Sequence, residues 1–72
     1  MTSEQTANRI DDICQRLEHL AADLTDLSIE TIREAVEQGE TKRPPQDKKI
    51  LQARRAVDKA LRTLQPQQSE LD

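Results

Sequence analysis

The chain has 72 residues, which limits it to one domain, and chains of this size often complete their core with a metal, a disulfide or a second copy of themselves. Hydrophobic residues make up 33% of it and Phe, Trp and Tyr are absent, so Leu, Ile and Val must supply the core. The net charge of −3 argues against a general binder of nucleic acid or anionic membranes, and one cysteine excludes an internal disulfide.

The sequence carries no membrane or export signal that we can recognise. No hydrophobic run approaches the roughly 18 apolar residues of a transmembrane helix. The first residues lack the basic start and apolar stretch of a signal peptide. Together with the single cysteine, these features lead us to expect a cytoplasmic protein that does not contact a membrane.

Acidic and basic residues are segregated along the chain. Residues 1–40 hold ten acidic against three basic residues, whereas residues 41–65 hold eight basic against two acidic residues. The boundary coincides with the strongest break in the helical pattern. The sequence therefore predicts one acidic and one basic helix.

The first predicted helix runs from about residue 4 to about residue 38, because neither Gly nor Pro interrupts it. Thr2, Ser3 and Thr6 are candidate N-caps, and Gly39 stands where a glycine closes a helix. The link that follows, residues 39–43, is short enough to force an antiparallel neighbour.

An apolar stripe follows the first helix with alternating spacings of three and four residues, the a and d positions of a heptad repeat. Its members are Ile10, Ile13, Leu17, Leu20, Leu24 and Leu27. We expect this stripe to hold the hairpin together. The repeat then fails, because Thr31 and Glu34 occupy its next two positions. A break near Ser28, which would give a three-helix bundle, is the alternative to one continuous helix.

A second apolar face opens beyond Leu27, where Ile29, Ile32 and Val36 lie. A helix that is apolar on two sides must be covered on two sides, and one hairpin partner covers only one of them. Leu51 of the second helix, off its stripe by about a third of a turn, is a further contact candidate. These four residues are the predicted self-association contacts of a homodimer.

The second predicted helix runs from about residue 44 to about residue 65, because proline suits a first helical turn and Pro66 stops the helix. Its narrow stripe consists of Ile50, Ala53, Val57, Ala60, Leu61 and Leu64. The alanines are expected to permit close approach of the first helix. Residues 66–72 are polar and are expected to form a flexible tail.

Most of the positive charge on the second helix points away from its stripe, and only Lys49 and Arg54 flank it. The outward set, the candidate face for an acidic partner, is Lys48, Arg55, Lys59 and Arg62. The acidic edge of the first helix in a partner subunit is the first candidate for that contact. That edge consists of Asp12, Asp23, Asp26, Glu30 and Glu34. Nucleic acid is an alternative ligand, although the chain has no aromatic residue to stack bases and no reader motif.

The sequence offers no constellation for catalysis, for a metal or for a cofactor. Cys14 is expected to be a small, partly buried hydrophobe at the edge of the stripe. His19 and Asp23 share a helix face, but two ligands are too few for a structural zinc site, so we expect a solvated pair. A glycine-rich phosphate loop and a nucleophile–base pair are both missing. We therefore expect no enzyme and no cofactor.

Two segments resemble small uncharacterised helical proteins of actinobacteria. The first has the pattern LxxLxxDLxDLSxExIREAVEQG at residues 17–39, and the second is RPPQDKKILQARRAVDKAL at residues 43–61. Together they cover most of the chain. The resemblance implies a helical fold and brings no established activity with it.

These features predict an all-α fold, an antiparallel two-helix hairpin that dimerises into a four-helix bundle. The expected function is that of a non-catalytic interaction or scaffold protein, which self-associates through aliphatic helix faces and binds an unidentified protein partner. The alternative is a small nucleic-acid-associated regulator that uses the basic outer face of the second helix.

Overall fold

The computed structural model describes residues 3–65, which form two α-helices that pack against each other. Helix α1 spans Glu4–Glu37 and helix α2 spans Pro45–Leu64. The prediction of an all-α two-helix fold is confirmed. The three-helix alternative is wrong, because α1 continues through Ser28 without interruption. Residues 38–44 join the two helices. Because this link is too short to reach back to the start of α1, the packed helices run antiparallel.

Local signals account for both ends of α1. Ser3 is the N-cap, and the backbone N–H of Thr6 donates to its Oγ at 3.1 Å. At the other end Gly39 has φ +83°, and the N–H groups of Gly39 and Glu40 donate to the carbonyls of Val36 and Ala35 at 3.0 and 2.9 Å. This is a Schellman motif, which satisfies carbonyls that the helix end leaves unpaired.

Prolines set the start of α2. Pro44 is extended, and Pro45 takes the first helical position, where its missing N–H costs nothing. The helix ends at Leu64. Two expectations, Thr2 as a cap and the flexible tail at 66–72, lie outside the described residues.

The seam of α1, the line of residues that faces α2, consists of small residues at every seventh position. Cys14, Ala21, Ser28 and Ala35 are the buried residues of α1. A spacing of seven returns to the same side of a helix after two turns, and small side chains let the two backbones approach closely. Cys14, which we expected to be partly buried at the edge of the apolar stripe, is buried in the seam itself.

The prediction that the Leu and Ile stripe of α1 faces α2 is wrong for half of its members. Ile13, Leu20 and Leu27 are 41, 50 and 46% exposed. The other three members, Ile10, Leu17 and Leu24, are half-buried beside the seam. The small-residue row lies one position further along the chain, and it takes the central place because close packing of α2 requires small side chains there.

The seam of α2 also differs from its predicted stripe. Its central row is Asp47, Arg54 and Leu61, and Asp47 is fully buried while the other two are half-buried. Ala53, expected at the close approach, is exposed. Arg54, expected beside the seam, stands within it, and Lys49 is exposed.

The hairpin by itself has no large apolar core. Within residues 3–65 no Leu, Ile or Val is buried, and the buried apolar residues are Cys14, Ala21 and Ala35. The Cα extents of 55 × 27 × 13 Å are those of a flat, elongated molecule. Its aliphatic side chains therefore lie on broad surfaces that the two helices leave open.

Candidate self-association surface

The apolar stripes of the two helices lie side by side on one broad surface of the hairpin. Along α1 five of the six large residues stand three positions after or one position before a buried small residue, and Ile10 stands seven positions before Leu17 in the same row. Along α2 the large residues and two alanines have the same offsets from Asp47, Arg54 and Leu61. Two antiparallel helices that lie side by side are related by a two-fold axis perpendicular to the plane that contains both of them. Residues at equal offsets from the two seam rows therefore lie on the same side of that plane.

A shallow concavity at the loop end of the hairpin supports this placement. Thr31 and Glu34 of α1 and Gln46 of α2 line it together. Thr31 continues the row of Leu17 and Leu24, and Glu34 continues the row of Leu20 and Leu27. Gln46 stands seven residues before Ala53. The rows of both helices therefore open onto the same side.

We call this surface the front face. Its α1 residues are Ile10, Ile13, Leu17, Leu20, Leu24 and Leu27, and its α2 residues are Ile50, Ala53, Val57, Ala60 and Leu64. Every one of them is half-buried or exposed. A contiguous exposed apolar surface on a small domain is a candidate interaction site.

The predicted self-association residues lie on the opposite side, which we call the back face. Ile29 and Val36 follow the seam row of α1 by one position and are 49 and 66% exposed. Ile32 and Leu51 follow the seam rows by four positions and are half-buried. They form a smaller apolar group near the loop, and their role in self-association stays a prediction.

The four cations of the predicted acidic-partner face are all exposed. Lys48, Arg55 and Arg62 follow the seam row of α2 by one position, which places them on the back face, and Lys59 points outward. The ion pairs of residues 3–65 join Arg16 to Asp12, Arg43 to Asp47 and Arg54 to Asp58, so none engages these four. They are spread along α2 from its first turn to its last turn.

A buried polar cluster ties the start of α2 to the middle of α1. The hydroxyl of Ser28 donates a short hydrogen bond to Oδ1 of Asp47, and Nε of Arg43 lies 2.8 Å from Oδ2 of the same carboxylate. That second contact is an ion pair without good hydrogen-bond alignment. Asp47 also stands in the first turn of α2, where the helix dipole favours negative charge.

Sequence reasoning missed Asp47. A visible signal existed, because Ser28 is the polar member of a row of small residues spaced by seven, and such a residue on a seam needs a partner. The hydrogen bond between Ser28 and Asp47 joins the start of α2 to one position along α1.

The remaining polar candidates stay separate. His19 and Asp23 are exposed, as is Arg16, whose guanidinium lies 2.9 Å from Oδ2 of Asp12. No group of three or more His, Cys, Asp or Glu within residues 3–65 is arranged to hold a metal ion. Neither helix has a stretch long and apolar enough to cross a membrane, as far as the described chain extends.

Comparisons with protein-family models, with curated proteins and with solved structures found no match to this chain. The resemblance to small actinobacterial helical proteins therefore stays a prediction. Conclusions about function rest on the geometry of the front face, the back face and the buried cluster.

Proposed function

We propose that the protein is a non-catalytic, self-associating interaction module, in which two hairpins bury their front faces against each other as a four-helix bundle. The observation that carries this proposal is the position of the aliphatic residues. No Leu, Ile or Val of residues 3–65 is buried within the hairpin, and the stripes of both helices lie on one surface. The bundle would present the charged outer surfaces of its helices to protein partners, as a scaffold does.

The energetic scale supports a second copy as the occupant. Nine Leu, Ile and Val side chains lie on the front face. Burying their exposed parts contributes on the order of 1 kcal/mol for each, roughly 18 kcal/mol for a pair of hairpins. Association costs about 4–15 kcal/mol. The face is therefore large enough to sustain a dimer, and it would supply the core that one hairpin lacks.

Leu20 at the centre of the front face provides the direct test. Leu20→Asp places a charge where the partner's aliphatic side chains would pack, so we expect the dimer to dissociate to monomer at micromolar concentrations. Ile29→Asp is the matched control, because Ile29 is 49% exposed against 50% for Leu20 but lies on the back face. Sedimentation equilibrium gives the mass of each variant.

The two substitutions also separate the two apolar surfaces. If Ile29→Asp produces the monomer and Leu20→Asp does not, the back face is the interface and the front face is not. A wild-type chain that sediments as a folded monomer up to about 100 µM rules out the dimer, because a Kd above that concentration corresponds to a binding free energy weaker than about −5 kcal/mol.

A second candidate function is binding of an anionic ligand, nucleic acid in particular, through the basic residues of α2. The observation in its favour is that Lys48, Arg55, Lys59 and Arg62 are all exposed and outside the ion pairs of residues 3–65. This surface stays open when the front face is covered.

A salt titration tests this candidate. Added salt weakens binding that depends on phosphate contacts. For duplex DNA, log K falls against log salt concentration with a slope of about −0.9 for each neutralised phosphate. If the candidate is right, Arg55→Glu combined with Lys59→Glu abolishes binding of a duplex oligonucleotide at low salt, while Arg33→Glu on α1 leaves it intact. Absence of binding by the wild type at 20 mM salt removes this candidate.

A further inference from the structure

The outer edge of the front face along α1 carries charges in a simple order. Arg9, Arg16, Asp23 and Glu30 follow each other at intervals of seven residues, so they share one side of the helix, and all four are exposed. We call this row the charged edge. Two positive charges lie towards the start of α1 and two negative charges towards its end, where Glu37, at the next interval of seven and the last residue of α1, adds a third negative charge.

This order makes the edge complementary to its own reverse. If a second α1 is laid antiparallel with the two Leu20 residues opposite each other, Arg16 meets Asp23 of the second copy and Arg9 meets its Glu30. The same reversal pairs Ile13 with Leu27. Leu20 is also the midpoint of α1, which spans Glu4–Glu37, so the two helices overlap along their whole length.

We propose that the partner of the front face is a second copy in which α1 packs antiparallel on α1, with the charged edges setting orientation and register. This inference rests on the dimer proposed above and specifies its geometry. A symmetric dimer forms four ion pairs, because each of these four charges on one edge meets an opposite charge on the other edge. Arg9 and Arg16 line one shallow concavity together with Ile13 and Asp12, so both guanidinium groups are accessible from the same side of α1.

The competing face-to-face arrangement stacks α1 on α2 of the partner subunit. On α2 the positions that correspond to the charged edge are Lys49, Ala56 and Thr63. Only Lys49 is charged, and it would meet Glu30 of the other copy, so this arrangement forms two ion pairs. The α1-on-α1 arrangement forms twice as many, and it leaves Lys49 without a role.

The pairing of Arg16 with Asp12 within α1 does not prevent the proposed contact. Both side chains are exposed, at 74 and 57%, and exposed pairs of this kind exchange readily with other partners. A guanidinium also has five N–H donors, so Arg16 can hold Asp12 and a carboxylate of the second copy together.

Charge reversal in two variants tests the orientation. The acidic variant carries Arg9→Glu and Arg16→Glu, and the basic variant carries Asp23→Arg and Glu30→Arg. Over residues 9–30 each variant has an edge of one sign, so we expect its homodimer Kd to rise about tenfold or more. When the two variants are mixed, an acidic edge meets a basic one, and native mass spectrometry should show the heterodimer as the main species.

Two controls make the result specific. Arg33→Glu changes an exposed arginine of α1 away from the front face and should leave Kd within about twofold. Lys49→Glu should likewise leave Kd within about twofold if α1 packs on α1, but should raise it if α1 packs on α2. Circular dichroism checks that every variant is helical.

The outcomes separate this inference from the proposed function. A stable dimer whose Kd is insensitive to both edge variants, or which responds to Lys49→Glu alone, overturns the α1-on-α1 geometry and leaves the front-face dimer standing. A wild type that stays monomeric overturns both. Weakened homodimers together with a restored heterodimer support the proposed orientation.

Discussion

Replacing Asp47 with Ala is expected to lower the free energy of unfolding by about 2–4 kcal/mol, the combined effect of a lost charged hydrogen bond and a buried hydroxyl without an acceptor. Asp47 is fully buried, and its carboxylate accepts from Ser28. The substitution also removes the ion pair with Arg43, whose side chain is largely exposed and contributes less because water can solvate it. Urea unfolding followed by circular dichroism at one fixed protein concentration measures the change.

Variants of the same cluster separate its parts. Asp47→Asn keeps an acceptor for Ser28 and loses the charge, so it should cost less than Asp47→Ala. Asp12→Ala removes an exposed carboxylate from an exposed ion pair and should cost under about 1 kcal/mol. If Asp47→Ala costs no more than Asp12→Ala, the buried cluster does not hold the hairpin.

The second large effect is expected at Ala21, in the middle of the small-residue seam. Ala21→Leu inserts three more heavy atoms where α1 and α2 approach each other, and Ala21 is buried. Over-packing of this kind costs about 1–3 kcal/mol, because the helices must move apart or the side chain must leave its preferred rotamer. Thermal and urea unfolding report the loss.

The neighbouring alanine is a matched control for this substitution. Ala22 is exposed, and Ala22→Leu adds the same atoms to the same helix without entering the seam, so stability should change by no more than about 0.5 kcal/mol. Equal effects at both positions would contradict the assignment of Ala21 to the close approach. A gain in stability from Ala21→Leu would show that the seam holds unfilled space.

Signals at the helix ends were readable in advance because they act through neighbours in the chain. Ser3 caps α1, Gly39 adopts the left-handed conformation that glycine tolerates best, and Pro45 opens α2. Each effect depends on a few adjacent residues. The antiparallel arrangement follows from the short link between the helices, so the two-helix fold also lay within reach of the sequence.

The face that each helix turns to the other was not readable in the same way. The row of Cys14, Ala21 and Ser28 and the row of Ile13, Leu20 and Leu27 lie one position apart and share the same repeat. Hydrophobicity favours the second row as the seam, whereas close packing of two backbones favours the first. Periodicity alone does not rank these two requirements, so the predicted stripe became the front face.

The structure also changes the interpretation of the segregated charges. Acidic and basic helices suggest an electrostatic contact within the hairpin, yet the contacts between charged groups in residues 3–65 are i, i+4 pairs. The row of Arg9, Arg16, Asp23 and Glu30 borders the front face around the exposed Leu20, and it has a role only in the dimer that we propose.

The sequence by itself predicted two antiparallel helices and, to within a few residues, where each begins and ends, because these properties depend on local conformational preferences and on the length of one link. The tertiary structure excluded the break near Ser28, decided which side of each helix is buried, placed Asp47 against Ser28, and left nine of the large aliphatic residues together on the front face. It did so because two helices pack closest over small side chains. Leu and Ile side chains were thereby displaced onto the surface that, in our proposal, a second copy covers.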